Sequence, residues 1–124
     1  MHNNIIIAFT VLASLPAPIN LSASAQATSI SLTWEQPPHV NGVESYEITY
    51  NYTVHECKAG SDQHFSTVNV TLPGFLRNYT ILNSTATPVE EDSTYTISLV
   101  AANNWSTGER SEAATAAITT YTAS

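Results

Sequence analysis

His55, Cys57, Asp62 and His64 fall within ten residues of one another and form the densest group of would-be ligands and nucleophiles in the chain. One thiolate with two imidazoles suits zinc, and a cysteine near a histidine suits nucleophilic catalysis. Neither set is complete. Zinc takes four ligands in short paired spacings, and no second cluster closes the shell. A Cys/His dyad needs an orienting group and an oxyanion pocket, and the neighbouring residues offer neither. The reading is a solvated, glycine-containing link in which Cys57 is a free thiol or couples two chains. Glu90-Glu91-Asp92 reads as a solvated acidic turn. The chain has no glycine-rich phosphate loop, no Gly-x-Ser-x-Gly and no paired-carboxylate constellation, so neither an enzyme nor a cofactor is expected.

A second chemistry is more frequent. Six asparagines stand in Asn-x-Ser/Thr acceptor sites for N-glycosylation: Asn20, Asn51, Asn69, Asn78, Asn83 and Asn104. They favour the secretory pathway and an extracellular location, either secreted or in the ectodomain of a membrane protein. Residues 5–12 (IIIAFTVL) fit the apolar core of a signal peptide, with Val11-Leu12-Ala13 as a small-residue cleavage site. The residues before them carry no Lys or Arg. Residues 1–14 therefore read either as a signal peptide or as the tail of a preceding segment. The apolar run is far short of the roughly 20 residues of a membrane span, so no membrane insertion by this segment is expected.

The rest of the composition limits the partner. The 124 residues hold 3 Lys+Arg against 10 Asp+Glu, for a formal charge of −7. Such a balance lacks the basic patch that nucleic acid requires. The length fits one domain with a real core. Ser and Thr make up 31 residues while charged residues are only 10%. That is the balance of a β-rich surface, since β-branched and aromatic side chains suit pleated, half-buried positions.

The elements that must position these groups are strands. Period-2 alternation runs through Leu21-x-Ala23, Ile30-x-Leu32-x-Trp34, Tyr46-x-Ile48-x-Tyr50, Val68-x-Val70-x-Leu72, Tyr79-x-Ile81 and Tyr95-x-Ile97-x-Leu99-x-Ala101. A weak last strand covers residues 113–120. Turn residues separate the runs, and no helical period appears. The pattern predicts an all-β, seven-stranded antiparallel sandwich. Trp34, Tyr46, Ile48, Tyr95, Ile97 and Leu99 are its expected core. Alternation then places Asn20, Asn51, Asn69 and Asn78 outward, and Asn104 in an exposed turn. Asn83 keeps the parity of inward Ile81, beyond the expected end of its strand. Trp105, in the turn before the last strand, is a candidate contact residue because large exposed aromatics are enriched at interface hot spots.

Taken in order, these pieces resemble a fibronectin type III domain. Pro16-x-Pro18-x-x-Leu21 and Ile30-x-Leu32-x-Trp34-x-x-Pro37 look like that family's opening, and Val43-x-x-Tyr46-x-Ile48-x-Tyr50 like its third strand. Val89, Thr94 and Tyr95 look like its tyrosine corner, and Asn103, Gly108 and Ser111 like the turn before its last strand. The resemblance covers residues 15–120, leaving 121–124 as a tail. It implies an immunoglobulin-like fold and a non-catalytic protein-binding or adhesion module within a receptor ectodomain or matrix-type protein. The partner would be a protein ligand or neighbouring domains. The alternative is a structural spacer with no ligand of its own. The chain departs from the family in two places: residues 55–66 read as a long link, and residues 83–88 lengthen the approach to the corner.

Overall fold

Wherever the sequence alternates apolar and polar residues, the chain is extended. In the computed structural model, which describes residues 15–37, 43–55, 63–103 and 108–122, all regular structure is β. The strands are β1 (Ile19–Ala25), β2 (Ser29–Glu35), β3 (Ser45–Val54), β4 (Gln63–Pro73), β5 (Asn78–Leu82), β6 (Ser93–Asn103), β7 (Glu109–Arg110) and β8 (Ala114–Thr119). They form two antiparallel sheets. One has the order β1-β2-β5; in the other β4-β3-β6 continues to β7, and β8 also pairs with β6.

The inward residues of the two sheets meet in one core. β2 contributes Ile30, Leu32 and Trp34, β5 Ile81, β3 Tyr46, Ile48 and Tyr50, and β6 Tyr95, Ile97, Leu99 and Ala101, all buried. Val89, from the loop before β6, is also fully buried. Burying each large side chain removes apolar area from water and stabilises the fold by about 1.5–3 kcal/mol.

Three details differ from simple alternation. The expected last strand is β8, and an unexpected two-residue strand, β7, precedes it: both pair with β6, and Ser111 between them donates its N–H to the Ala101 carbonyl and accepts the Ala101 N–H on its hydroxyl, each at 2.9 Å. The link after β3 is shorter than expected, because Gln63, His64 and Phe65 already belong to β4. They pair with Val54, Thr53 and Tyr52. Their mixed polarity hid the strand; what recruits it is Phe65 stacking on Tyr52, centroids 4.7 Å apart. Finally, β1 bulges at Asn20 and Leu21, which together oppose Trp34. Asn20 takes a φ of 55° there, a left-handed conformation that asparagine tolerates better than most residues.

Candidate functional site

The chain crosses from one sheet to the other through the short turn between β4 and β5, and that crossing shapes a recess. Gly74 must approach the backbone closely: its N–H donates to the Glu44 carbonyl at 3.1 Å, and a Cβ added to it would lie 1.6 Å from the Val43 carbonyl oxygen. Only glycine fits there. The Leu76 N–H donates back to the Pro73 carbonyl at 3.2 Å and closes the turn.

Arg77 then locks the turn to the core. Its Nη1 donates to the carbonyls of Gly74 (2.8 Å) and Leu76 (2.7 Å), and its Nη2 donates to Gln36 Oε1 at 2.5 Å. The guanidinium lies over the Tyr46 ring, 5.7 Å from its centroid, a favourable cation–π placement. Tyr46 in turn meets Trp34 edge-to-face at 5.3 Å. Burial pushes the Tyr46 phenol above its ordinary pKa, with the Arg77 charge opposing that shift. The Arg77 carbonyl accepts the Trp34 backbone N–H at 3.0 Å.

Between the turn and the start of β3 lies an open cleft of about 830 Å³, bordered by Gln36, Val43, Ser45, Leu72, Phe75 and Arg77. Its walls are mainly apolar. Phe75 stands at the rim, 79% exposed. The Ser45 hydroxyl, the Trp34 Nε1 and the Tyr46 hydroxyl are buried nearby with no hydrogen-bond partner among the described residues. The cleft can receive an apolar group and offer a few polar contacts. Among the described residues its wall carries no histidine or cysteine.

The residues singled out from the sequence are spread over the molecule. His55 Nε2 lies 2.9 Å from the Thr94 hydroxyl, and His64 Nδ1 2.9 Å from that of Thr53. Both pairs have outward strand parity, and neither borders the cleft. Cys57, Asp62, Asn104 and Trp105 lie outside the described residues, as do residues 1–14. Among the described residues no group of three or more His, Cys, Asp or Glu could hold a metal ion. Trp34, Tyr46, Ile48, Tyr95, Ile97 and Leu99 are all buried. Tyr95 accepts the Glu90 N–H on its hydroxyl at 2.5 Å.

Asn20, Asn51, Asn69 and Asn78 are exposed, and so is Asn83 despite its inward parity. β5 ends at Leu82, and the Asn83 side chain turns to accept the Val89 N–H on Oδ1 at 3.0 Å. Asn20 Nδ2 donates to Glu35 Oε1 at 3.1 Å. Sequence reasoning passed over Gln36, Gly74, Phe75 and Arg77. One signal was there: a Pro-Gly turn followed by an aromatic and one of only three cationic residues.

Two antiparallel sheets in this order, closed over an aromatic core, define an immunoglobulin-like β-sandwich. The profile of the fibronectin type III domain matches residues 16–117, and the chain belongs to that family. No curated protein matches the sequence. Among solved structures, the third fibronectin III domain of the human KIAA0343 protein is similar at 17% identity and a TM-score of 0.65, covering 90% of this chain and 86% of that one. The FN5 domain of Drosophila Lar is 18% identical, with a TM-score of 0.56 over 87% of this chain and 98% of that one. The chicken CNTN1 FN1–FN3 structure is 20% identical, with a TM-score of 0.59 over 85% of this chain and 30% of that longer one. Domains of this family are generally non-catalytic binding modules, common in adhesion and receptor proteins and typically extracellular. No helix among the described residues is long and apolar enough to cross a membrane.

Proposed function

We propose that this chain is a non-catalytic, extracellular protein-binding module working within a receptor ectodomain or matrix-type multidomain protein. The observation that carries the binding role is the open, mainly apolar cleft with Phe75 79% exposed at its rim. Aromatic side chains and arginine are enriched at protein interfaces, and this cleft presents Phe75 with Arg77 behind it. The extracellular setting is supported by five acceptor asparagines that all stand exposed on the folded domain.

The full chain, biotinylated and tetramerised on streptavidin, is titrated onto intact cells and immobilised matrix. Saturable binding that Phe75→Ala weakens at least about tenfold supports the reading, because truncating an interface anchor costs more than ~1.4 kcal/mol. Binding that ignores this substitution moves the function away from the cleft. Absence of saturable binding overturns the reading in favour of a structural spacer.

A further inference from the structure

Three of the sandwich's edge strands lack charged guards. β1 and β5 border the first sheet; β4 borders one side of the second, whose other side is formed by β7, with Glu109 and Arg110, and by β8, which runs close beside β1. Open edges expose unpaired backbone groups that can add a strand from another chain, and proteins usually protect them with lysine or other charges. The sequences of β1 (INLSASA), β4 (QHFSTVNVTLP) and β5 (NYTIL) contain no Asp, Glu, Lys or Arg. Bulges disturb β1 and β4, whereas the pairing of β5 with β2 is regular. Each of the three edges also exposes a large apolar residue: Ile19 (38%) on β1, Phe65 (39%) on β4 and Leu82 (65%) on β5. Without protection β4 and β5 are sticky margins, and β1, which β8 flanks, is the least open of the three.

Each of the same three strands carries an acceptor site: Asn20 on β1, Asn69 on β4 and Asn78 on β5, with Asn83 directly after Leu82. The hydroxyl partners Ser22, Thr71 and Thr80 are exposed, as the asparagines are. Of the central strands β2, β3 and β6, only β3 has an acceptor, Asn51. We infer that Asn20, Asn69 and Asn78 carry N-linked oligosaccharides that guard these three edge strands and keep the domain from associating through them. The inference rests on the extracellular reading and adds the role of the modification to it.

In the modification, the asparagine Nδ2 forms a bond to the anomeric carbon of an oligosaccharide held on a lipid diphosphate donor. The sugar–phosphate bond breaks, the diphosphate leaves with the electron pair, and the amide gives up one proton. Nδ2 keeps one hydrogen, so Asn20 can still donate to Glu35. A hydrated oligosaccharide on an edge strand sweeps the volume that an incoming strand would occupy.

The test is secretion of the full chain from a eukaryotic host, with site mapping by enzymatic release of the glycans. Conversion of asparagine to aspartate at each occupied site is read by mass spectrometry. Sedimentation then compares the parent chain, the edge variant Ser22→Ala/Asn69→Gln/Asn78→Gln, and the central-strand variant Asn51→Gln. Occupied edge sites, a monomeric parent, a monomeric Asn51→Gln and an edge variant whose mass at least doubles are the expected results. Should the edge variant fail to fold, the folded parent is deglycosylated enzymatically and sedimented before and after, with association again expected. Occupied edge sites with no association after their loss overturn the guarding role and leave the extracellular reading intact. Edge sites empty while Asn51 is occupied overturn the inference alone. No occupied site on a secreted chain overturns it together with the glycoprotein reading.

Discussion

Tyr50 and Tyr95 hold one loop from two adjacent strands. The Tyr50 hydroxyl donates to the Pro88 carbonyl at 2.9 Å, and the Tyr95 hydroxyl accepts the Glu90 N–H at 2.5 Å. Their rings meet edge-to-face, 5.5 Å between centroids, and Tyr95 stacks on Tyr52 at 4.9 Å. Thr120 completes the clamp by donating from Oγ1 to the Glu90 carbonyl at 2.7 Å and accepting the Ser93 N–H at 2.9 Å. The loop between β5 and β6 is thus pinned on both sides of Val89, whose side chain plugs the core.

Removing either hydroxyl leaves a loop backbone group without its partner. Tyr50→Phe and Tyr95→Phe are each expected to lower unfolding free energy by about 1–3 kcal/mol, since the ring is kept and only the hydrogen bond is lost. Urea unfolding of the two variants checks this. A midpoint unchanged in both would show that the tyrosine hydroxyls are not what holds the loop.

Alkaline pH should unfold the domain through the same residues. Burial raises the Tyr50 phenol well above its ordinary value and pushes Tyr95 up to about 12, the latter despite the Glu90 hydrogen bond. Burial likewise raises Tyr46 and Tyr52. A raised pKa means the folded state favours the neutral phenol. The stabilisation is therefore complete below the unfolded value of about 10 and is lost as pH climbs from there through the folded values. Urea midpoints measured from pH 8 upward should stay level and then fall above about pH 10. Tyrosinate absorbance from these four rings should appear together with the loss of β circular dichroism; ionisation without unfolding would contradict their burial.

Trp34→Ala removes the buried ring that Tyr46 meets edge-to-face in the core. Truncating a buried aromatic costs about 3–5 kcal/mol, a large part of the stability of a domain this size. The variant should show no cooperative thermal transition by circular dichroism. A transition near the parent's midpoint would place Trp34 outside the core's essential contacts.

Two glycines separate crowding from backbone strain. Gly74→Ala puts a methyl group 1.6 Å from the Val43 carbonyl oxygen, so the turn must move; a loss of roughly 1–3 kcal/mol is expected. At Gly108 an added Cβ meets none of the described residues within 4 Å but φ is +75°, so Gly108→Ala should cost only about 1–2 kcal/mol through left-handed strain. Thermal melts should rank Gly74→Ala as the more damaging. The reverse order would mean that the turn yields easily.

Alternation made β2, β3 and β6 legible because both faces have distinct environments along their length. Ile30, Leu32 and Trp34 stand inward while Ser31 and Thr33 stand out, and that contrast survives in one dimension. The first residues of β4 were not legible, since Gln63, His64 and Phe65 show no alternation and are held by Tyr52 and Thr53 of the neighbouring strand. Asn83, beyond the expected end of its strand, is exposed despite the parity of Ile81, because a side chain–backbone bond to Val89 takes over there. The cleft was invisible for a related reason: Gln36 and Val43 are distant in the chain from Phe75 and Arg77 and are brought beside them by one tight turn.

By itself the sequence determined that this chain is an all-β sandwich with an aromatic core, a polar hydroxyl-rich surface and acceptor asparagines along its strands. Those properties follow from local patterning, where each residue's type reports which side of a strand meets water. Only the tertiary structure decided which strands lie at the edges, which tyrosines share a loop and where the apolar cleft opens. These depend on the order in which strands pair and on contacts between distant residues, and no local pattern encodes them.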